Sequence, residues 1–274
     1  MSRVREEARS PLGLTAFAPW VVTCALVALL VLADFAGPVV VAGAVLLVQL
    51  VLAASPPPAG VTRAPARSPK VAPIALAGLA AAVVTLAPTT ISGAAGTVAT
   101  ASAAVAGGSL AGVGIAFPVL VLAAILGQLR RPPPRPDVVT ALGEVVVTGT
   151  IALMATGWLA AALSPVGRPA IVVAAVVTVI MVLADRSVRM RPVTQVWALA
   201  LSALSGIVLA SLEGAHALVG GIAALAIAGA VLAGGAVGRR WRPLPPARWA
   251  MEVTAPIALA GPVVFVASLV WAGI

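Results

Sequence analysis

Long apolar runs follow one another along almost the whole chain, and they constrain its fold more than any other feature. A run of about 20 apolar residues is what an α-helix needs to cross roughly 30 Å of hydrocarbon. The runs cover residues 17–33, 38–54, 71–87, 109–129, 138–163, 170–184, 193–212, 217–237 and 249–274. The sequence therefore predicts an all-α transmembrane bundle of about nine spans.

The composition argues against the other fold classes. Only 9% of the 274 residues are charged and 61% are hydrophobic, whereas a soluble domain carries about 25% charged residues. A membrane β-barrel needs alternating polarity and aromatic girdles, but aromatic residues make up 4% of this chain and Tyr is absent. We expect one transmembrane helical domain over residues 17–274, preceded by a cytoplasmic segment at 1–16. The run at 17–33 is interpreted as an uncleaved helix, because a second run follows at once.

The net charge of +9 is explained by membrane topology. With the N-terminus in the cytoplasm, alternating spans place 16 of the 17 basic residues on the cytoplasmic side, and Arg168 alone outside. The C-terminus is then outside, and we expect a multi-pass protein of the plasma membrane. The basic loops would favour anionic lipid headgroups, and no basic block is long enough to predict nucleic-acid binding.

The segment 89–108 is apolar enough to suggest a tenth span. A membrane crossing there would place Arg130, Arg131 and Arg135 on the opposite side of the membrane from the earlier basic residues. We therefore predict an outer loop, a re-entrant segment or a surface-lying helix, which is tolerated at membrane depth only where protein or water surrounds it. Tryptophan gives a second topological indication, because all six lie near predicted span ends or in a linker, as an aromatic belt requires. They are Trp20, Trp158, Trp197, Trp241, Trp249 and Trp271.

Glu144 is the strongest candidate for a functional side chain. It lies six residues into the fifth run, roughly 9 Å deep at 1.5 Å per residue, with Thr140 and Thr148 one turn away on the same face. An acidic residue at membrane depth suggests a proton relay, a cation ligand or a substrate contact. The alternatives are a structural pairing with a neighbouring helix, or a position in the headgroup zone.

Glu252 and Gln49 are the other candidates for substrate or ion coupling. Glu252 lies early in the last run, where an ion pair with Arg248 one turn before it is a sufficient structural explanation. Gln49 lies near the inner end of the second run, and Gln128 and Gln195 lie at the same predicted depth. These side chains could line a polar vestibule, or each could satisfy a local helix contact.

No metal or cofactor site is predicted. Asp34, Glu213 and His216 fall in short outer turns, where solvated turn residues are the simpler interpretation. The lone Cys24 cannot form an internal disulfide. The sequence contains no Walker loop, HExxH helix or GxSxG elbow. A catalytic constellation is therefore missing, and none is assigned.

The last helix carries a family resemblance. The stretch Ala255-Pro256-Ile257-Ala258-Leu259-Ala260-Gly261-Pro262-Val263-Val264-Phe265 resembles the proline-containing last helix of a group of actinobacterial multi-pass membrane proteins. The excess of Arg over Lys is also typical of that source. The resemblance implies a polytopic helical bundle, and the group carries no established activity to transfer.

These features favour a non-enzymatic inner-membrane protein that acts as a subunit or accessory factor in envelope biogenesis or transport. Its partners would be the lipid bilayer and other membrane proteins. The first alternative is a small-solute or ion transporter with Glu144 as the coupling residue. The second is a lipid-modifying enzyme with a cytoplasm-side site around Glu144, Arg130, Arg131 and Arg135.

Overall fold

The structure, a computed structural model, is helical throughout the residues that it describes, which confirms the predicted all-α fold. The described residues are 19–55, 70–87, 110–131, 138–185, 191–240 and 249–272. Their helices are α1 (Pro19–Ala36), α2 (Pro38–Ala53), α3 (Val71–Leu86), α4 (Ala111–Leu129), α5 (Val138–Met154), α6 (Thr156–Ala162), α7 (Gly167–Asp185), α8 (Arg191–Leu212), α9 (Ala217–Arg240) and α10 (Trp249–Ala272). The predicted cytoplasmic segment 1–16 lies outside the described residues.

The helices follow the predicted apolar runs closely and give the chain the character of a multi-pass membrane protein. Seven helical segments are long and apolar enough to cross a membrane, with α5 and α6 together forming one segment of 25 residues. The helices α2 and α3 have 16 residues each, or about 24 Å at a rise of 1.5 Å per residue. The count of about nine spans therefore stays a prediction.

The last helix, α10, lies at the centre of the bundle. It packs against α1, α2, α5, α6, α7 and α9, and 67% of its apolar span is buried. Pro256 and Pro262 lie inside it, and each removes one backbone donor from the helix. Neighbouring helices can supply polar contacts near such interruptions, which is why proline is tolerated inside a membrane bundle.

A turn at Ala155 divides the fifth predicted run, which the sequence had indicated as continuous, into α5 and α6. Gly157, two residues later, lies so close to α10 that an added Cβ would overlap the backbone of Gly261. The carbonyl oxygen of Met154 lies equally close to Gly261 from the other side of the turn. Small residues allow this direct backbone contact between helices.

Trp158 follows the turn and is buried in the bundle. Its side chain is 1% exposed, and its indole Nε1 donates to the Ile257 carbonyl of α10 at 2.8 Å. The expectation that Trp158 belongs to an interfacial aromatic belt is therefore wrong. A buried indole needs an acceptor for its N–H, and α10 provides one.

One end of the bundle, which we call the Glu252 face, carries the starts of α1 and α10 and the ends of α7 and α9. Thr23 in the first turns of α1 donates to the Val253 carbonyl at the start of α10, at 3.3 Å. Arg239 near the end of α9 pairs with Asp185, the last residue of α7. Glu252 lines one cavity together with the ends of these helices.

The opposite end, the Arg168 face, carries the end of α1 and the start of α7. Arg168 Nε lies 3.2 Å from Asp34 Oδ2, and its guanidinium stacks 4.9 Å from the centre of the Phe35 ring. Gly37 has a φ of 116° and is the one residue between α1 and α2. That left-handed region favours glycine, so Gly37 suits the tight reversal between the two helices.

The segment 89–108 lies outside the described residues, but its two flanking helices are adjacent. Gly112 at the start of α4 packs against Thr85 and the Ala81 carbonyl at the end of α3. The chain therefore leaves α3 and enters α4 at the same face of the bundle. This placement agrees with a connection that returns to the face from which it came.

Candidate functional site

The ion pair between Lys70 and Glu144 is the most deeply buried pair of opposite charges that the structure describes. Lys70 is the residue just before α3, and Glu144 lies in the second turn of α5. Both residues are 5% exposed, and the Lys70 ammonium contacts the Glu144 carboxylate directly. The ammonium also donates to the Ser55 carbonyl, just after α2, at 3.0 Å. Three helices therefore meet at this pair.

Because Lys70 and Glu144 are buried, each charge needs the other to offset the free-energy cost of leaving water. Removing two charges from water costs several kcal/mol per ion, and only close geometry with additional hydrogen bonds compensates that cost. The contact with the Ser55 carbonyl supplies such a bond to Lys70. The Glu144 carboxylate is thus compensated inside the protein, and the pair joins the end of α2 and the start of α3 to α5.

Gln49 has different neighbours from Glu144. Its Nε2 donates to Thr156 Oγ1, just beyond the turn between α5 and α6, at 3.2 Å. Its Oε1 packs against Gly78 of α3, where an added Cβ would overlap it. Gln49 is 1% exposed, so this buried amide links α2, α3 and α6. A polar side chain that joins three helices fits the structural alternative considered for it.

Glu252 lines a cavity of about 310 Å³ at the Glu252 face. The cavity lies between α1, α7, α9 and α10, and Asp185 and Arg239 lie in its wall as an ion pair with a 2.5 Å contact. The remaining lining comes from residues within the first or last three turns of these helices. They are Pro19, Trp20, Thr23, Met181, Val182, Val231, Leu232, Gly235 and Pro256.

The three predicted candidates therefore lie in three different environments. Glu144 contacts Lys70, Gln49 contacts Thr156, and Glu252 lines the cavity with Asp185. Of the other vestibule residues, Gln128 accepts a hydrogen bond from Arg131 at 3.0 Å, and Gln195 is half-buried. Arg248, the expected ion-pair partner of Glu252, lies outside the described residues. Arg135, which belonged to the site expected for a lipid-modifying enzyme, also lies outside them.

Lys70, Asp185 and Arg239 were not predicted as site residues. All three lie at or beside helix ends, where charged residues were interpreted as signals of topology. Lys70 differs from the other 16 basic residues only in being a lysine. Arginine is the usual residue in buried ion pairs, and lysine is more strongly hydrated, so the residue type gave no signal of this burial.

The outer acidic residues do not converge. Asp34 pairs with Arg168, whereas Glu213 and His216 are exposed in the turn between α8 and α9. Among the described residues there is no group of three or more His, Cys, Asp and Glu side chains that could hold a metal ion. Cys24 lies half-buried in α1.

The geometry thus offers two places for function: a closed ion pair that joins three helices, and an acid-containing cavity at one face. Neither Lys70 nor Glu144 lines that cavity. No family model, curated protein or solved structure matches this chain.

Proposed function

We propose that the chain is a non-enzymatic subunit or accessory factor in the plasma membrane, serving envelope biogenesis or transport. The observation that carries this proposal is the pairing of Glu144 with Lys70. A catalytic or coupling carboxylate must reach substrate, ion or water, whereas the Glu144 side chain is 2% exposed and already compensated. Its position suits a structural role.

The packing at the centre of the bundle supports the same proposal. The turn between α5 and α6 is closed against α10 by the contact of Gly157 with Gly261 and by the Trp158 indole. Close packing of this kind resists small displacements, because protein interiors have low compressibility. A rigid helical body is what a scaffold or docking subunit needs.

The experiment is native mass spectrometry of the tagged full chain, extracted from its own membranes in a mild detergent. We expect an assembly heavier than one 27.0 kDa chain, containing at least one other membrane protein at a fixed ratio. The exposed-charge variant Glu213→Gln should give the same assembly. A species that is monomeric at native expression levels, with no partner after chemical crosslinking in the membrane, would contradict the proposal.

The second candidate is a small-solute or ion transporter, and the turn at Ala155 is the observation that favours it. Many transporters form their sites where a discontinuous helix crosses another interrupted helix near the middle of the membrane. Here the turn lies against Gly261 and Pro262 of α10.

The two candidates differ in the motion that they require. Spin labels at positions 20 and 240, in a Cys24→Ser chain, lie on α1 and α9 at the Glu252 face. A transporter predicts two distance populations by double electron–electron resonance, because alternating access moves one group of helices against another. A rigid subunit predicts one population, and two would favour the transporter.

A further inference from the structure

The cavity at the Glu252 face combines charged and apolar walls. Asp185, Arg239 and Glu252 lie within one turn or so of the helix ends, so they form the outer part of the cavity. The apolar residues Met181 and Val231 lie one to two turns deeper in α7 and α9. The cavity therefore changes from charged to apolar in the direction of the bundle interior.

We propose that this cavity binds an amphiphile with a zwitterionic head of the phosphoethanolamine type, which carries a primary ammonium and a phosphate. The ammonium lies against the carboxylates of Asp185 and Glu252, and the phosphate accepts hydrogen bonds from Arg239. The apolar part of the molecule packs on Met181 and Val231. This assignment concerns a binding site and goes beyond the subunit role proposed above.

The charges of the wall favour a zwitterion over an anion. The Asp185 carboxylate and the Arg239 guanidinium are paired with each other in the cavity wall, and the Glu252 carboxylate lies in the same wall. The wall therefore presents carboxylate and guanidinium groups side by side. An anionic head complements only the guanidinium, and a simple cation complements only the carboxylates. A head with both charges complements each group, and a guanidinium forms short, charge-assisted bonds to phosphate.

The position of the cavity favours a ligand with an apolar part. Asp185, Arg239 and Glu252 lie near the ends of apolar helices. In a protein that spans the membrane, helix ends lie at the depth of the lipid headgroups. Trp20 lies in the same wall, and amphipathic indoles prefer this zone. A volume of about 310 Å³ suits a headgroup with a few methylenes and falls at the lower end of the range for ligand pockets.

Phosphoethanolamine chemistry can come from a phospholipid or from a soluble molecule. Both sources present the same ammonium and phosphate to Glu252 and Arg239. Only the lipid also covers the deeper apolar wall at Met181 and Val231. The experiment therefore compares phosphatidylethanolamine with free phosphoethanolamine.

The test uses the purified, delipidated full chain in detergent and measures the rise in melting temperature as lipid is titrated. A ligand that binds only the folded state stabilises it in proportion to the logarithm of its concentration over Kd. We expect phosphatidylethanolamine to bind more tightly than phosphatidylglycerol, which lacks an ammonium. It should also bind more tightly than phosphatidylcholine, whose quaternary ammonium has no N–H to donate. Free phosphoethanolamine that binds as tightly as the lipid would identify a soluble ligand of the same chemistry.

Two variants test the assigned contacts. Glu252→Gln should weaken phosphatidylethanolamine binding about tenfold, since one charge-assisted hydrogen bond is lost. Arg239→Lys keeps a positive charge beside Asp185, and so preserves the fold, but removes the guanidinium that is assigned to the phosphate, so it should also weaken phosphatidylethanolamine binding. The matched control Glu213→Gln removes an exposed carboxylate in the turn between α8 and α9 and should bind as the unaltered chain does.

Two results would overturn the assignment. One is equal stabilisation by phosphatidylglycerol, phosphatidylcholine and phosphatidylethanolamine, which would show that the headgroup is not recognised. The other is unchanged phosphatidylethanolamine affinity in Glu252→Gln, which would place the lipid elsewhere on the bundle. Neither result bears on whether the chain assembles with other membrane proteins, so the subunit proposal is tested separately.

Discussion

Lys70 and Glu144 place two opposite charges in an interior that is made mostly of small and aliphatic side chains. The cost of burying each charge is offset only while the other is present. Neutralising one partner therefore leaves an uncompensated charge, whereas neutralising both removes the cost and the attraction together. This asymmetry distinguishes a structural pair from a carboxylate that waits for an ion.

Single substitutions at the pair should destabilise the fold strongly. We expect Lys70→Met or Glu144→Gln to lose about 3–5 kcal/mol, and the double variant Lys70→Met/Glu144→Met to lie much closer to the original stability. Denaturant unfolding in micelles measures the free energy of unfolding of the unaltered chain, the two single variants and the double variant. The pair at the Arg168 face offers a comparison, since the Arg168 side chain is 58% exposed and that of Asp34 is 8% exposed. Arg168→Gln should therefore cost less than either single substitution at the buried pair. Additive single effects would show that the two side chains do not depend on each other.

Trp158 makes a second buried polar contact, with the Ile257 carbonyl. Trp158→Phe removes the indole donor and part of the packing, and we expect a loss of about 1–3 kcal/mol. Trp197, which is 67% exposed on α8, supplies the matched control. Trp197→Phe should change the unfolding free energy by no more than about 0.5 kcal/mol. Equal effects of the two substitutions would argue against the inward position of Trp158.

The sequence singled out individual polar residues but did not indicate their partners. Glu144 stands out because an acid is rare at membrane depth, and Glu252 stands out for the same reason. The partners Lys70 and Asp185 lie at helix ends, where charge is common, so their burial depends on which helices pack together. That information is tertiary and cannot be obtained from the local sequence.

At the scale of helices, the runs were predicted to within a few residues, because apolar length is a local property. The sixth run, predicted at 170–184, extends in α7 by three residues at its start and by one residue at its end. The turn at Ala155 was not predicted, since Ala155 and Thr156 are ordinary residues for a membrane helix. It is explained by the close approach of Gly157 to Gly261, which is a contact between distant parts of the chain.

The contact between Gly157 of α6 and the backbone of α10 gives a prediction for these two helices. Gly157→Ala places a Cβ against the backbone of α10 and should cost about 1–3 kcal/mol or more, because backbone cannot move aside as a flexible side chain does. Gly229→Ala in α9 meets no neighbour within 4 Å and should be neutral or stabilising by up to about 1 kcal/mol. Thermal unfolding in micelles compares them. A neutral Gly157→Ala would mean that α6 and α10 are farther apart.

At the scale of the molecule, the helix ends form two opposite faces of the bundle. Contacts between distant helix ends place Asp185 with Arg239, and Asp34 with Arg168, at opposite ends. The sequence predicts that every arginine-bearing connection except the one with Arg168 lies in the cytoplasm, which would put the Glu252 face on the cytoplasmic side. The contacts order the helix ends relative to one another, and the positive-inside rule supplies the membrane side.

The most direct test is the labelling of single cysteines with a membrane-impermeant maleimide, first in intact cells and then after permeabilisation. In a Cys24→Ser chain, Arg63→Cys and Arg131→Cys should react only after permeabilisation, whereas Glu213→Cys should react in intact cells. Labelling of positions 63 and 131 from opposite sides of the membrane would contradict the topology, and with it the assignment of the Glu252 face to the cytoplasm.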